Sequence, residues 1–186
     1  GVEKVEPDTT CFAFVGDSTF FASAITGVVN AVYNQANMVL VVLDNSTTAM
    51  TGHQPHPGTG RTVMGEIVQK INIEQVLRGI GVTEVETVNP LELEASVLCV
   101  QKMAKKPGVK AIIFKSPCIA VTRPDAPLHV NPDNCIGCKK CILELGCPSI
   151  VLDQDKVCID SSMCTGCGLC SQVCPVHAIT GGASHE

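Results

Sequence analysis

Between Cys11 and Lys115 the chain alternates short, densely apolar runs with longer stretches of mixed polarity. CFAFV (Cys11 to Val15) and MVLVVL (Met38 to Leu43) carry almost no polar face, which predicts strands buried on both sides of a parallel sheet. Parallel neighbours need a crossover connection, and the span from about Thr19 to Gln35 is long enough to supply its helix. VKAIIF (Val109 to Phe114) predicts a further buried strand. Between these, Asn72 is suited to cap a helix running to about Arg78 and stopped by Gly79 and Gly81. Asn89, followed by Pro90 and then Glu92, has the form of a capping box for a helix that ends before Pro107 and Gly108. Strand and helix in alternation predict an α/β fold built on a parallel sheet.

The pattern changes after Lys115. Residues Ser116 to Pro132 hold Pro117, Pro124, Pro127 and Pro132, which predicts an extended linker. A domain boundary near residue 128 follows, with residues 1–128 as the α/β part and 129–186 as a small second domain. That second part contains two tandem cysteine runs, Cys135, Cys138, Cys141, Cys147 and Cys164, Cys167, Cys170, Cys174, each ending in Cys-Pro. A C-x2-C-x2-C turn curls three thiolates around one small volume, which is the demand of a 4Fe-4S cluster. In two-cluster ferredoxins the Cys before Pro serves the other cluster. This assigns one cluster to Cys135, Cys138, Cys141 and Cys174, and the other to Cys164, Cys167, Cys170 and Cys147. The second run has the bacterial C-x2-C-x2-C-x3-C-P spacing, whereas the first has five residues between Cys141 and Cys147. Zinc favours paired knuckles rather than triplets closed by Cys-Pro, and disulfides suit secreted chains. Between the runs, SIVLDQDKVCID alternates apolar and polar residues and predicts a short hairpin.

Composition narrows the function further. The net charge is −5, aromatic residues make up 3% and Trp is absent, so neither an electrostatic track nor a stacking platform for nucleic acid is visible. No apolar run approaches the roughly 18 residues of a membrane span. A reducing cytoplasm fits the cysteine usage, and clusters of this kind suggest anaerobic life. The first residue is Gly1 rather than Met, which suggests a piece of something longer. Cys11, Cys99 and Cys158 read as small buried hydrophobes, and Met38, Met64 and Met103 as core filler. Cys118, in a Ser-Pro-Cys turn after a strand, is open between packing and a place near the reactive site.

The remaining chemical signal is Gly16-Asp17-Ser18 at the end of the first strand and Asp44-Asn45 at the end of the second. Open α/β sheets bind ligands at the carboxyl ends of their strands, where the following helix turns its N-terminus toward phosphate. Magnesium takes oxygen ligands in an octahedral array, one or two from side chains and the rest from phosphate, water or carbonyl. Asp17, Asn45 and the carbonyl of Thr47 can supply such a set. With Asn45 twenty-nine residues after Gly16, the pattern resembles the thiamine-diphosphate signature, in which an Asp, a later Asn and a carbonyl two residues beyond hold the metal. The stretch LDNSTTAMTGHQPHPGTG (Leu43 to Gly60) is similar to the thiamine-binding domain of the 2-oxoacid:ferredoxin oxidoreductases. More narrowly, GDSTFF, then DNSTTAMTGHQPHPG, then the two cysteine runs resemble the α subunits of the indolepyruvate ferredoxin oxidoreductases over essentially the whole chain, the wide spacing of the first run included.

The resemblance implies Mg2+ on Asp17, Asn45 and Thr47, a diphosphate beside Gly16, Ser18 and Thr19, and a wall near the thiazolium formed by Ala49, Met50, Thr51 and Gly52. It implies oxidative decarboxylation of an aryl 2-oxoacid with coenzyme A. Thiamine diphosphate would supply the carbanion chemistry, and the two clusters would pass electrons to an external ferredoxin. Family members activate the cofactor with a glutamate from a separate pyrimidine-binding domain, for which this chain has no counterpart. The chain therefore reads as the C-terminal portion of a larger α subunit, inactive alone and accompanied by a smaller β subunit. His53 and His56 suit acid–base work near neutral pH, but fixing the backbone of a Pro/Gly-rich loop is the plainer reading. The alternatives are a pyruvate or branched-chain member of the same superfamily, and an electron-transfer module whose nucleotide-like fold is vestigial.

Overall fold

The computed structural model describes residues 2–6 and 8–181. These divide into two compact units, the first ending at Val121 and the second beginning at Thr122. The division falls ahead of residue 128 because Leu128–Val130 already forms a strand of the second unit, paired with Ile179–Gly181.

In the first unit a helical turn α1 (Val2–Val5) precedes four strands: β1 (Cys11–Gly16), β2 (Met38–Asp44), β3 (Glu84–Val88) and β4 (Val109–Lys115). They form one all-parallel sheet in the order β1-β2-β4-β3. The β1–β2 crossover begins as α2 (Asp17–Thr19), passes through a π-helical stretch (Phe20–Ala24) and continues as α3 (Ile25–Tyr33). With α4 (Ile73–Ile80), this crossover covers one face, where Phe20, Val28, Leu40, Val42, Leu77, Val85 and Ile113 make the larger core cluster. On the other face α5 (Leu93–Ala104) buries Cys99 and Met103 against Val39, Val41 and Ile112. Burial on both faces explains why β2 and β4 read as continuous apolar runs. Leu77 is fully buried. Leu77→Ala is expected to cost about 2–5 kcal/mol, read as a lower midpoint of denaturant unfolding with the iron content unchanged.

Several local expectations need correction. Asn72 does cap α4, its Oδ1 accepting from the Gln75 N–H at 3.1 Å, but the helix runs past Gly79 and stops at Gly81 with φ +109°. The helix expected from Pro90 begins only at Leu93. The Asn89 side chain is spent on a turn: its Oδ1 accepts from Leu91 N–H at 3.1 Å and its Nδ2 donates to Glu92 at 3.3 Å. Strand β3 is an addition, hidden in sequence by Glu84 and Glu86, which pair with Lys106, just past the end of α5, and with Lys102 within it. Cys99 is buried, but Cys11 and Cys158 are only half-buried. Met103 is buried and Met38 packs against the core, whereas Met64 is exposed in the loop after β2.

The second unit holds two strand pairs, β5 (Leu128–Val130) with β8 (Ile179–Gly181) and a hairpin of β6 (Ile150–Asp153) with β7 (Lys156–Ile159). Two short helices, α6 (Lys140–Leu145) and α7 (Leu169–Val173), begin inside the two cysteine runs. The hairpin is the one expected between the runs, turned at Gln154 with φ +54°. Among the described residues no helix is long and apolar enough to cross a membrane.

Candidate functional site

Because the sheet is all parallel, the ends of β1, β2, β3 and β4 at Gly16, Asp44, Val88 and Lys115 share one rim. Gly16 leaves β1 in an extended conformation and Asp17 opens the helix that follows. A Cβ at Gly16 would meet nothing within 4 Å, so this turn presents open backbone at the rim. Asp17 is 2% exposed. Its Oδ1 accepts from the Ser18 N–H at 2.8 Å and its Oδ2 faces His56 Nε2 at 3.2 Å. Burial pushes the Asp17 carboxyl above the usual carboxylate range; the Ser18 N–H and His56 oppose that shift, and the neighbouring Asp44 carboxyl adds to it. Two close carboxyl groups in a buried pocket are a donor set short of positive charge. Ser18 Oγ accepts from Thr48 Oγ1 at 2.9 Å, tying the helix start to the loop after β2, while Thr19 is exposed.

At the end of β2 the chain reverses sharply. Ser46 has φ +61°, its N–H donates to Asp44 Oδ1 at 3.0 Å, and the Thr47 N–H donates to Asn45 Oδ1 at 3.1 Å. Thr47 is buried. The segment after β4 braces this turn, with the Ser116 N–H on the Asp44 carbonyl at 3.0 Å and the Cys118 N–H on the Asn45 carbonyl at 2.9 Å. Lys115 Nζ lies 3.5 Å from Asp44 Oδ2. Asp17, Asn45 and Thr47 thus stand on two adjacent strand ends, offering carboxylate, amide and carbonyl oxygens suited to a hard divalent cation. The next residues, Ala49–Thr51, form a single 3-10 turn closed by Gly52 with φ +111°, and Met50 is wholly exposed.

His53 and His56 differ in place. His53 is exposed, with φ +64° and its N–H on the Thr48 carbonyl at 3.0 Å. His56 is 9% exposed and accepts the Gly58 N–H on Nδ1 at 3.1 Å, which fixes the loop, while its other nitrogen reaches Asp17. The sequence marks His56 as a histidine in a Pro/Gly-rich loop. It carries no sign of a partner thirty-nine residues upstream.

In the second unit, Cys135, Cys138, Cys141 and Cys174 line one small cavity together with Val130, Val157, Pro175 and Ile179. Burial pushes the Cys141 thiol up, and Cys138 and Cys174 are near enough to raise it further. Cys170 is pushed up to about 11, by burial first and then by Cys167, Cys164 and Cys147. Cys174, the fourth cysteine of the second run, thus lies with the first three of the first run, and Cys147 is near enough to Cys170 to act on it electrostatically. Backbone N–H groups already point at sulfur. Those of Val157 and Gly137 lower the Cys135 pKa, and the Ala178 N–H lies 3.2 Å from Cys174 Sγ. Such donors stabilise thiolate and tune a cluster's potential. Cys147 Sγ lies 3.0 Å from Ser149 Oγ. Among the described residues no cysteine forms a disulfide.

Both cysteine turns hinge on a glycine. Gly166 has φ +76°, and a Cβ there would come within 2.7 Å of the Ala126 carbonyl; at Gly137, φ +68°, it would come within 2.8 Å of the Asp155 carbonyl. Gly166→Ala is expected to cost about 1–3 kcal/mol by overpacking, and to lower iron content through the turn that carries Cys164 and Cys167. Thermal unfolding and iron per chain check this.

A parallel sheet whose rim gathers Asp17, Asn45 and Thr47 at the opening of a helix is the frame of a thiamine-diphosphate domain, and residues 1–114 match the model described as "Thiamine pyrophosphate enzyme, C-terminal TPP binding domain". The chain belongs to that family. Residues 157–180 match a "4Fe-4S binding domain". Among curated proteins, the chain is 42% identical over 173 residues to "Indolepyruvate oxidoreductase subunit IorA" of Archaeoglobus fulgidus, covering 90% of this chain and 28% of the relative. The protein of the same description from Methanothermobacter thermautotrophicus is 43% identical over 169 residues, with 90% of this chain and 27% of the relative covered. The chain thus spans little more than a quarter of these relatives' length. Among solved structures, 2-oxoglutarate:ferredoxin oxidoreductase from Magnetococcus marinus shares the fold, with TM-score 0.57 and 19% identity over 63% of this chain and 43% of that one.

Proposed function

We propose that this chain is the thiamine-diphosphate and electron-transfer portion of a 2-oxoacid:ferredoxin oxidoreductase acting on aryl 2-oxoacids such as indolepyruvate, with coenzyme A as acyl acceptor. What supports the reading is the presence, on one polypeptide, of Asp17, Asn45 and Thr47 at two adjacent strand ends and of two tandem cysteine runs, with Cys174 lining one cavity with Cys135, Cys138 and Cys141. The likeness to the IorA subunits supports the aryl substrate.

In this reading Asp17, Asn45 and the Thr47 carbonyl hold Mg2+, and Gly16, Ser18 and Thr19 lie beside the diphosphate. Ala49, Met50, Thr51 and Gly52 form the wall near the thiazolium. When bound, thiamine diphosphate supplies the carbanion chemistry that breaks the bond to the 2-oxoacid carboxylate. Asp17, held by the Ser18 N–H and by His56, orients the metal and so the diphosphate. Cys135, Cys138, Cys141 and Cys174 ligate one 4Fe-4S cluster; Cys164, Cys167, Cys170 and Cys147 ligate the other. The quartets hold acceptors that take electrons singly and deliver them to an external ferredoxin. The remainder of an α subunit and a smaller β subunit complete the assembly, in the cytoplasm.

The test is anaerobic purification of the full-length complex, with iron and thiamine assays, followed by indolepyruvate and coenzyme A. Bleaching of the cluster absorbance is expected. Clusters that stay oxidised under indolepyruvate but bleach under pyruvate or a branched-chain 2-oxoacid would reassign the substrate. Absence of thiamine from the preparation would leave an electron-transfer module.

A further inference from the structure

The His56 ring is held on three sides. Phe21 stacks on it with ring centroids 5.7 Å apart and planes 30° from parallel. The Gly58 N–H donates to Nδ1 at 3.1 Å, and Gly58 itself packs so closely that a Cβ would come within 3.0 Å of both His56 Cε1 and Phe21 Cε2. Because Nδ1 accepts a hydrogen bond, the ring's N–H that reaches Asp17 is the one on Nε2. That N–H points at Asp17 Oδ2, 3.2 Å away, between side chains that are 5% and 4% exposed.

We propose that His56 is a positioning residue for the metal ligand Asp17: its Nε2–H fixes the rotation of the carboxylate so that an oxygen lone pair on each side stays aimed into the rim. The inference rests on the magnesium site proposed above and adds to it the group that holds the ligand in place. The sequence builds this device in two steps. The π-helical stretch Phe20–Ala24, following the short α2 turn that Asp17 opens, sends Phe20 into the core and leaves Phe21 partly exposed against it, with the two rings edge to face at 5.3 Å. π-Helical turns recur at functional sites because the widened turn re-aims side chains. The loop after β2 then returns His56 onto Phe21, and Pro55, Pro57 and Gly58 set its path.

The physical need for such a residue comes from Asp44. A second carboxyl within reach of Asp17 pushes it away electrostatically, and burial favours any rotamer that finds a donor. The Ser18 N–H anchors Oδ1 alone, about which the carboxylate can still swing. The His56 N–H anchors Oδ2. Lys115 holds Asp44 from the other side at 3.5 Å. Partners of this kind raise metal affinity by orienting a ligand rather than by touching the ion.

The experiment uses the full-length complex, purified anaerobically and stripped of thiamine diphosphate and metal. Mn2+ binding, in the presence of excess thiamine diphosphate, is followed by loss of the free-ion EPR signal. His56→Phe keeps the stack on Phe21 and loses the donor. Its Mn2+ dissociation constant is expected to rise about 10- to 100-fold, with iron content and the reduced-cluster spectrum unchanged. His56→Gln restores an N–H donor at comparable reach and is expected to recover most of that loss. Unchanged Mn2+ affinity in His56→Phe, or an equal loss in His56→Phe and His56→Gln, would reduce His56 to packing and overturn the proposal. Asp17→Ala serves as the reference. Should it bind Mn2+ as the unaltered complex does, the magnesium assignment itself falls, which is a different result from failure of His56 alone.

Discussion

Asp17→Ala is expected to abolish retention of thiamine diphosphate while leaving the iron content of the complex intact. In the proposed site a metal would link the Asp17 carboxylate to the diphosphate, and removing one of its two side-chain donors would leave too few protein oxygens to hold Mg2+. On the apo protein Asp17→Ala has two opposed effects: it relieves the repulsion with Asp44 but leaves the buried His56 Nε2–H without its acceptor. Asp17 is buried beside Asp44, and the ionised pair is unfavourable until a cation arrives. Asp17→Asn keeps the shape, relieves that repulsion and still loses the cofactor, so binding and stability should separate in this variant. Thiamine retained at the level of the unaltered complex, in either variant, would remove Asp17 from the metal site.

Cys174→Ser is expected to damage the cluster built on Cys135, Cys138 and Cys141, although Cys174 lies closer in sequence to Cys164, Cys167 and Cys170. About half of the iron should be lost, since a cubane deprived of one of four thiolates is the labile one. The structure sets up a reciprocal test. Cys147 is near enough to Cys170 to act on it electrostatically, so under the crossed ligation Cys147→Ser should injure the other centre and spare the first. EPR of the reduced complex distinguishes the two outcomes. If Cys174→Ser leaves the Cys135 centre intact and removes the one built on Cys164, the ligation is uncrossed.

The second unit also shows how the longer first run is accommodated. The residues between Cys141 and Cys147 are taken up by the end of α6 and by Gly146, which turns with φ +56°. The extra length coils locally, and Cys147 still arrives beside Cys170. The second run spends its three residues inside α7, with Cys174 as the cap. Equivalent thiols are reached by unequal paths.

What the sequence determined by itself was everything that repeats or that lies within a few residues. The parallel sheet was legible because strands buried on both faces cannot hide their apolar runs, and β2 and β4 show no polar alternation. The cysteine runs were legible because cluster turns impose fixed short spacings. The Asn72 cap was legible because its partner is three residues away. The tertiary structure decided what depends on meetings across distance. Strand β3 is not legible because its glutamates are neutralised by Lys102 of α5 and Lys106 just beyond it, sixteen and twenty-two residues further on. Asn89 looked like a helix cap until its side chain was seen closing a turn. The contact of His56 with Asp17 joins a loop to a helix start, and no local pattern encodes it. Local spacing is written by backbone geometry, whereas the rotation of a buried carboxylate is set by whichever donor the folded chain brings to its second oxygen.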